Sequence, residues 1–286
     1  MQGLVIKSLS GEFTIFSENK KYVCKPKGLF KLHEKLVKVG DRVIFDSQTR
    51  TIMEVLPRKN ELIRPAIVNI DKIFLLFSVK EPDLNLHLLD RLLSLFEFYN
   101  LPCMIVFTKL DLLTDTKEIE KIINYYQTIG YKVFTTANEL DLQALKKEIS
   151  QSICAFAGQS GVGKSTLLNL FDETFKIKTD FISLALGRGK HTTRHVELLP
   201  FLDGWVADTP GFGTVEFPFE DHLTFSQSFV EFFQYSKQCK LPKCLHLDEP
   251  HCHIKALVKK QEILPSRYEN YVLFAKEIKE NIKNKY

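Results

Sequence analysis

Long apolar segments are missing from this sequence of 286 residues. No run of about 18 apolar residues occurs, so a membrane-spanning helix is not predicted and no membrane partner is expected. The first residues, Met1 to Lys7, lack the apolar stretch of a secretory signal peptide, which favours the cytoplasm as the location. The hydrophobic (44%) and charged (26%) fractions are those of a globular protein that buries real cores.

A large net charge is also missing, since the formal net charge is only +4. The positive excess lies at the start of the chain. Residues 1–66 hold 13 Lys and Arg against 7 Asp and Glu, residues 67–215 hold 15 against 18, and residues 216–286 hold 11 against 10. Charge alone therefore favours a polyanion-binding first segment and a merely solvated basic surface about equally.

Cysteine is scarce, with six in the chain, and three of these lie in predicted strands as reduced core thiols. The other three lie near the C-terminus in the spacing C-x4-C-x-H-x5-C. Three thiolates and one imidazole can form a tetrahedral shell, which favours structural Zn²⁺ over disulfides or free thiols. His251 and His253 stay open as nitrogen donors, although the spacing favours His246. The predicted ligands are Cys239, Cys244, His246 and Cys252.

The clearest motif is Gly158-Gln159-Ser160-Gly161-Val162-Gly163-Lys164-Ser165, of the form G-x-x-x-x-G-K-S. It follows an apolar segment that suits a buried strand, and Thr166 after it suits the first turn of a helix. Glycines let backbone N–H groups surround a phosphate, and the helix N-terminus adds partial positive charge. The motif predicts a phosphate loop in which Lys164 reaches the β- and γ-phosphates and Ser165 ligates Mg²⁺. A glycine-rich turn that binds nothing is the disfavoured alternative.

Residues 1–66 are predicted to form a small β-barrel, for which an OB-fold is the favoured form. Short segments at 11–16, 22–24, 41–46 and 51–56 predict strands, and a hairpin turn is expected between the last two. Loops of OB-folds often meet oligonucleotides. Six lysines lie between or beside these strands: Lys20, Lys21, Lys25, Lys27, Lys31 and Lys35.

From Lys72 onward the pattern changes to alternating strands and helices, which predicts a parallel sheet with helices on both faces. Ligands bind such sheets at the carboxyl ends of the strands. Strands are predicted at 73–79, 104–107, 132–134 and 153–157, and helices at 84–99, 118–128 and 142–149.

The segment after strand 104–107 resembles the N-K-x-D guanine motif of GTPases; it is Thr108-Lys109-Leu110-Asp111. One carboxylate can accept hydrogen bonds from both N1–H and the exocyclic amine of guanine, a donor pair that adenine lacks. Asp111 is therefore expected to select guanine, with the stem of Lys109 along the purine face. Thr108 departs from the commoner Asn, which predicts a looser pocket.

The loop after the next predicted strand carries a weaker signal. Its residues Thr136 and Ala137 resemble the loop whose backbone contacts the guanine oxygen in GTPases. A plain strand-to-turn junction explains these two residues nearly as well, so their contact with the nucleotide is a hypothesis.

A segment of the form D-x-P-G, from Asp208 to Gly211, follows the strand around Trp205. Asp208 is expected to hold Mg²⁺ through water, and the Gly211 N–H to meet the γ-phosphate. Residues 187–194 are basic, rich in glycine and contain threonine, which suits a second switch segment. One threonine hydroxyl there would complete the Mg²⁺ shell.

The order of these motifs departs from that of ordinary GTPases, in which the phosphate loop comes first and the base motif last. A sheet can be cut at one connection and rejoined at another while its spatial strand order is kept. The sequence therefore predicts a circularly permuted α/β GTPase domain with a parallel-type sheet. The predicted domains are an OB-fold RNA-binding barrel at 1–66, the GTPase domain at 67–215 and a mainly helical zinc-binding domain at 216–286.

Together these parts resemble the bacterial ribosome small-subunit-dependent GTPase A family over nearly the whole chain. Arg64-Pro65 with Asn69-Ile70-Asp71 adds to the motifs above. The resemblance implies GTP and GDP as ligands with Mg²⁺, and binding to the small ribosomal subunit late in its assembly. It also implies that the subunit stimulates hydrolysis, that hydrolysis promotes release, and that the barrel and the zinc domain contact rRNA. A monomer is expected.

The resemblance also suggests which group orients the attacking water. Phe212 follows Gly211, close to the position where many GTPases carry a Gln that orients the attacking water. An apolar ring cannot orient water. His191 is the family-implied candidate, and Thr193 is the candidate for the threonine linked to Mg²⁺. A His191 that contacts RNA or packs is an equally weighted alternative.

Two other functions stay open on the sequence. One is a P-loop phosphotransferase that acts on a small metabolite, which the base motif, the D-x-P-G segment and the Cys/His spacing disfavour. The other is an RNA-binding module that uses GTP only as a signal of occupancy.

Overall fold

A computed structural model describes residues 1–27, 36–63, 66–172, 196–208 and 217–283, with only the backbone of Asp208. The strands are β1 Gln2–Leu9, β2 Glu12–Ser17, β3 Lys20–Pro26, β4 Arg42–Asp46, β5 Thr51–Val55, β6 Glu61–Leu62, β7 Ile67–Val68, β8 Lys72–Ser78, β9 Cys103–Thr108, β10 Lys132–Thr135, β11 Ile153–Gly158, β12 Glu197–Phe201 and β13 Gly204–Asp208. The helices are α1 Leu86–Phe98, α2 Lys117–Thr128, α3 Glu139–Ile149, α4 Lys164–Phe171, α5 His222–Gln227, α6 Val230–Ser236, α7 His253–Lys259 and α8 Pro265–Lys283, with a 3₁₀ turn at Leu110–Leu112.

The chain divides into two compact units. The first unit comprises residues 1–73, 143–157 and 164–213, and the second comprises 74–142, 158–163 and 214–286. None of the helices in the described residues is long and apolar enough to cross a membrane.

The first unit contains a closed five-stranded barrel. β1 pairs with β2, β2 with β3, β3 with β5, β5 with β4, and β4 again with β1. Its interior is apolar, and Val5, Ile15, Val43 and Ile52 are fully buried there. The predicted barrel is therefore confirmed, together with its hairpin turn between β4 and β5.

The rest of the first unit is a sheet that begins at the barrel. β1 continues into an antiparallel pair with β12, where Lys7 and Glu197 form a 3.0 Å ion pair. β12 and β13 form an antiparallel hairpin, and β13 runs parallel to β11. The ring of Trp205 in β13 meets that of Phe16 in β2 edge to face, with centroids 4.9 Å apart.

The second unit contains the order β10-β9-β8, in which β10 and β9 are parallel. β8 and β9 are apolar and buried along almost their whole length, as expected of strands covered on both faces. The predicted α/β arrangement is thus confirmed in this part of the chain, with helix boundaries within three residues of those predicted.

The C-terminal helices α5–α8 pack around aromatic side chains in the second unit. The largest of these, including Phe225, Phe229 and Phe232, are fully buried. The helix predicted over residues 265–283 is confirmed as α8. This mainly helical region follows the α/β part of the chain, as the sequence predicts.

A buried ionic network joins α8 to α1, α2 and α6. The fully buried Arg267 guanidinium donates to Asp90 Oδ1 at 2.7 Å and to Glu231 Oε1 at 2.8 Å. Asn270 Nδ2 donates to Asp90 Oδ2 at 2.7 Å, and Tyr126 Oη donates to Asp90 Oδ1 at 2.6 Å. These bonds satisfy the buried charges and fix α8 on α1 and α2 of the α/β part and on α6 of the C-terminal region.

Candidate functional site

The predicted phosphate loop lies between a buried strand and a helix. β11 is buried from 153 to 157, and α4 begins at Lys164. Gly158 has φ of 138°, and a Cβ on it would clash with the Leu76 carbonyl; Gly163 has φ of 93°. Both positions require glycine, since L-residues rarely adopt such φ values. The strand–turn–helix context that the motif needs is therefore present.

Three polar side chains are exposed on the first turn of α4, those of Lys164, Ser165 and Thr166. At this position the backbone N–H groups have no partner within the helix and the helix dipole is positive. An anion is favoured there, and the lysine and hydroxyls can add charge and metal-binding oxygens. Their contacts with phosphate and Mg²⁺ stay predictions.

The base loop is fixed to the phosphate loop by Thr108. This residue ends β9, is buried, and donates its Oγ1 hydrogen to the backbone carbonyl of Val162 at 2.6 Å. The donor and acceptor are 54 residues apart in sequence. The threonine that departs from the usual Asn therefore still ties these two loops together, with a hydroxyl instead of an amide.

Beyond Thr108 the chain turns sharply. Lys109 has φ of 59°, and its Nζ donates to the Glu81 carbonyl. Asp111 lies on the 3₁₀ turn with its side chain exposed. A carboxylate displayed at the carboxyl end of a buried strand is accessible to the edge of a purine base.

The Thr136 loop lies beside the base loop, because β10 and β9 are parallel and Thr135 pairs with Phe107. The Thr136 N–H donates to the Phe107 carbonyl at 3.0 Å. Asp141, which the sequence did not single out, accepts hydrogen bonds from the N–H and the hydroxyl of Thr135, both at 2.8 Å. The carboxylate thus holds the loop before Ala137, whose side chain is exposed.

The strand of the D-x-P-G segment lies beside the strand of the phosphate loop. β13 is parallel to β11, with Ala207 opposite Ala155, so both strands end at the same edge of the sheet. The backbone of Asp208 is the last of β13. Gly211 and residues 187–194, with His191 and Thr193, lie outside the described residues, as do Lys31, Lys35 and Arg64-Pro65.

The four predicted cysteine and histidine ligands lie together. Their ligand atoms are all within 4.8 Å of one another. Nδ1 of His246 is 3.4 Å from Sγ of Cys252 and 3.6 Å from Sγ of Cys239. A tetrahedral Zn²⁺ separates sulfur and nitrogen ligands by about 3.6 Å, given its usual bond lengths. The donor set, with Cys244 as the third thiol, therefore fits structural zinc, and His246 is the imidazole in the cluster.

The turn that carries His246 is held by its neighbours. The Glu249 carboxylate accepts hydrogen bonds from the backbone N–H groups of Leu245 and Leu247 at 2.7 and 2.8 Å. Tyr268 of α8 donates its hydroxyl to the His246 carbonyl at 2.8 Å. Burial lowers the pKa of His246 to about 4, so its imidazole is neutral at pH 7 and can act as a ligand.

Part of the predicted basic surface is present on the barrel. Lys20, Lys21, Lys25 and Lys27 of β3 and its end are exposed. Lys25 lies 3.3 Å from Glu12, whose charge offsets one of these lysines. An exposed cationic strand on a small barrel is compatible with a polyanionic partner.

Comparison with protein families gives matches along most of the chain. Residues 2–52 match the RsgA N-terminal domain and residues 55–218 match the RsgA GTPase model. The chain belongs to the RsgA GTPase family. GTP hydrolysis is accordingly its enzymatic activity, and the family resemblance found in the sequence is confirmed.

Curated members of the family are similar to the chain from end to end. The small ribosomal subunit biogenesis GTPase RsgA 2 of Listeria innocua is 44% identical over 285 residues, which cover 98% of both chains. The RsgA of Halalkalibacterium halodurans, also named a small ribosomal subunit biogenesis GTPase, is 41% identical over 293 residues, covering 100% of this chain and 99% of its own.

Two solved structures are similar to this one over nearly the whole chain. The crystal structure of YloQ, described as a circularly permuted GTPase, has a TM-score of 0.80 at 35% identity and covers 98% of this chain and 95% of its own. YjeQ from Thermotoga maritima has a TM-score of 0.79 at 33% identity, covering 97% and 98%. The permuted GTPase fold predicted from motif order is confirmed.

Thr108→Val is expected to weaken GTP binding by about tenfold or more. The variant keeps the shape of the side chain but leaves the Val162 carbonyl without its partner, a loss of about 1–3 kcal/mol for a buried acceptor. Titration with a fluorescent GTP analogue would measure it. Thr128→Val is the matched control, because that hydroxyl donates to the Asn124 carbonyl at 2.7 Å in an exposed position. Equal affinity of the Thr108 variant and wild type would contradict the structural role given to this hydroxyl.

Proposed function

We propose that this GTPase binds the small ribosomal subunit and assists its late maturation. The subunit stimulates hydrolysis of GTP to GDP and phosphate, and hydrolysis promotes release of the factor. The observation that carries the proposal is likeness over the full length to proteins named small ribosomal subunit biogenesis GTPases, at 41–44% identity. A cytoplasmic location is proposed because the proposed partner is assembled there. The protein is also proposed to be a monomer.

The proposed nucleotide site is formed by the base loop and the phosphate loop, which the Thr108 hydroxyl joins. Asp111 and Lys109 bind guanine, and the loop at Thr136 and Ala137 faces its oxygen. Backbone N–H groups and Lys164 bind the phosphates, and Gly211 meets the γ-phosphate. The proposed phosphate loop comprises Gly158, Gln159, Ser160, Gly161, Val162, Gly163, Lys164, Ser165 and Thr166.

Two metals are proposed, one at each site. Ser165 and Thr193 would ligate Mg²⁺ directly and Asp208 would do so through water, so that the ion screens the phosphate charge. His191 is proposed to orient the attacking water. One structural Zn²⁺ would be held by Cys239, Cys244, His246 and Cys252, where its charge stabilises thiolates that burial alone disfavours.

The proposed domains keep the predicted bounds of 1–66, 67–215 and 216–286. The barrel and the zinc domain are the proposed rRNA-binding parts. Support comes from the exposed lysines of β3 and from the position of these domains before and after the GTPase domain. Binding of both to one RNA partner would let the nucleotide state control release.

The decisive experiment is GTP turnover with and without added small subunits. The proposal expects turnover to rise when subunits are added, and large subunits to have no such effect. ATP in place of GTP tests the base preference in the same assay. Lys164→Ala is the control for contaminating GTPase activity, because it removes the phosphate-binding cation. Turnover that small subunits leave unchanged would contradict the proposal.

In the zinc-free protein, acid is expected to lower the free energy of unfolding between about pH 6.5 and pH 4. The folded His246 has a pKa of about 4, below its ordinary value of 6.5. The unfolded chain therefore binds the proton first, so the stability present above pH 6.5 is lost as the pH falls toward 4. Denaturant unfolding of the zinc-free protein at several pH values would measure the loss. A loss of the same size in a His246→Ala variant would show that another group titrates in this range.

A further inference from the structure

A groove beside the Cys/His cluster is lined by residues that have no part in the proposed nucleotide site. It has a volume of 580 Å³ and lies between α6 and the loop that follows it. Its rim carries two apolar side chains that are exposed, Phe233 at 52% and Leu241 at 42%. Three exposed lysines line it as well: Lys237, Lys240 and Lys243.

Phe233 is not needed for the core of this region. Its neighbour Phe232 is fully buried and packs on Tyr271, with ring centroids 4.7 Å apart. Phe233 points away from that core, so its ring can stack with a ligand. Because the buried Phe232 anchors α6, the direction in which the Phe233 side chain leaves the helix is fixed, which lowers the entropic cost of stacking.

The charge of the groove is positive even with zinc in place. Among the described residues that line it, none is acidic. A Zn²⁺ with three thiolates and a neutral imidazole carries a net charge of −1, so the three lysines leave the groove at +2. One lysine would suffice to balance the metal cluster, and the other two therefore attract an anionic partner.

We propose that this groove binds an unpaired nucleotide of RNA, with its base stacked on Phe233 and its phosphates against the lysines. The inference rests on the proposed function, since rRNA is the proposed partner, and it assigns the contact to one surface and to one form of RNA. Aromatic rings that stand beside lysines bind single strands by stacking and charge. In a duplex the bases stack on each other and are not available to Phe233.

The test is a titration of the full-length, zinc-loaded protein with a fluorescent single-stranded oligoribonucleotide and with a blunt hairpin of the same length. Phe233→Ala is expected to weaken single-strand binding by about tenfold or more, since a stacked base contributes strongly. Lys237→Glu with Lys240→Glu is expected to flatten the salt dependence by roughly 0.7 per lysine. Zinc content and melting temperature check that each variant is folded.

Matched controls come from the same region. Leu273→Ala removes an apolar side chain that is 53% exposed on α8, and Lys259→Glu reverses an exposed charge on α7. Neither lines the groove, so both should bind the single strand like wild type. Losses as large in these controls as in the groove variants would overturn the proposal.

Two further outcomes separate the groove from the proposed function. Unchanged single-strand affinity in the groove variants, with weaker binding to small subunits, would show that the groove contacts another part of the subunit and would overturn the proposal of an unpaired nucleotide. Single-strand binding that depends on Phe233, in a protein whose GTP turnover small subunits do not stimulate, would support the groove and reject the proposed function.

Discussion

Replacing Arg267 by alanine is expected to lower the free energy of unfolding by about 3–5 kcal/mol. The guanidinium is fully buried and bonds to two fully buried carboxylates, Asp90 and Glu231. Its removal leaves two negative charges without a counter-ion, and burial already raises the pKa of Asp90. Denaturant unfolding followed by fluorescence and circular dichroism would measure the loss.

A second arginine of the same region provides the control. Arg91 binds Glu277 through two hydrogen bonds of 2.7 Å, but their side chains are 17% and 38% exposed. This variant leaves no fully buried charge without a partner, so Arg91→Ala should cost clearly less than Arg267→Ala, even with the loss of the guanidinium contacts to the rings of Phe217 and Phe274. Glu231→Gln should also cost less than Arg267→Ala, because it removes the excess negative charge and keeps the shape. A loss below about 1 kcal/mol for Arg267→Ala would contradict the importance of the buried network.

Replacing Asp111 by asparagine is expected to weaken GTP binding by roughly 100-fold and to favour xanthosine triphosphate. A site built to accept two hydrogen bonds rejects a base that no longer matches its donors and acceptors. The amide of asparagine can donate to the xanthine carbonyl at C2, where guanine carries an amine. Competition of both nucleotides against a fluorescent GDP analogue would measure the change.

The matched control for this exchange is Asp115→Asn. Asp115 is exposed close by in the sequence, and its Oδ1 accepts a hydrogen bond from the N–H of Lys117 at 3.0 Å. The control should bind GTP like wild type. If both variants bound GTP equally well, the guanine contact would have to come from another residue.

Local spacing made the Cys/His cluster and the strand–turn–helix context of the predicted phosphate loop predictable. Both motifs fix their geometry within about a dozen residues, so no knowledge of distant contacts is needed. The choice of His246 over His251 and His253 also agrees with the observed cluster. The nucleotide roles of His191, Thr193 and Gly211 stay predictions, because these residues lie outside the described part of the chain.

Features that depend on distant partners were not predictable. β1 shows no alternation, because Leu4, Val5 and Ile6 are all buried in a strand with more than one neighbour. The earlier start of helix α3, at Glu139 and not at residue 142, has a local cause instead: the Asn138 side chain accepts the Asp141 N–H at 2.8 Å, a cap that the sequence does contain. Strand pairings between residues that are far apart in the sequence leave no periodic pattern of apolar residues in a single sequence.

The buried network was the largest feature hidden from the sequence. Arg267 stands in a moderately basic helix, where a solvated arginine is the ordinary expectation. Its partner Asp90 is 177 residues away. Only the folded chain shows that this arginine balances charges on two other helices.

The network also sets an order of events during protein synthesis. The ribosome makes Asp90 and Glu231 before Arg267, so a nascent chain carries both carboxylates before their counter-ion exists. Helices α1 and α6 cannot bury these carboxylates as charged groups until α8 has emerged. Completion of α8 thus controls when α1, α2 and α6 can pack together around the buried network. A chain cut short before Arg267 would leave acidic, half-packed helices open to proteolysis.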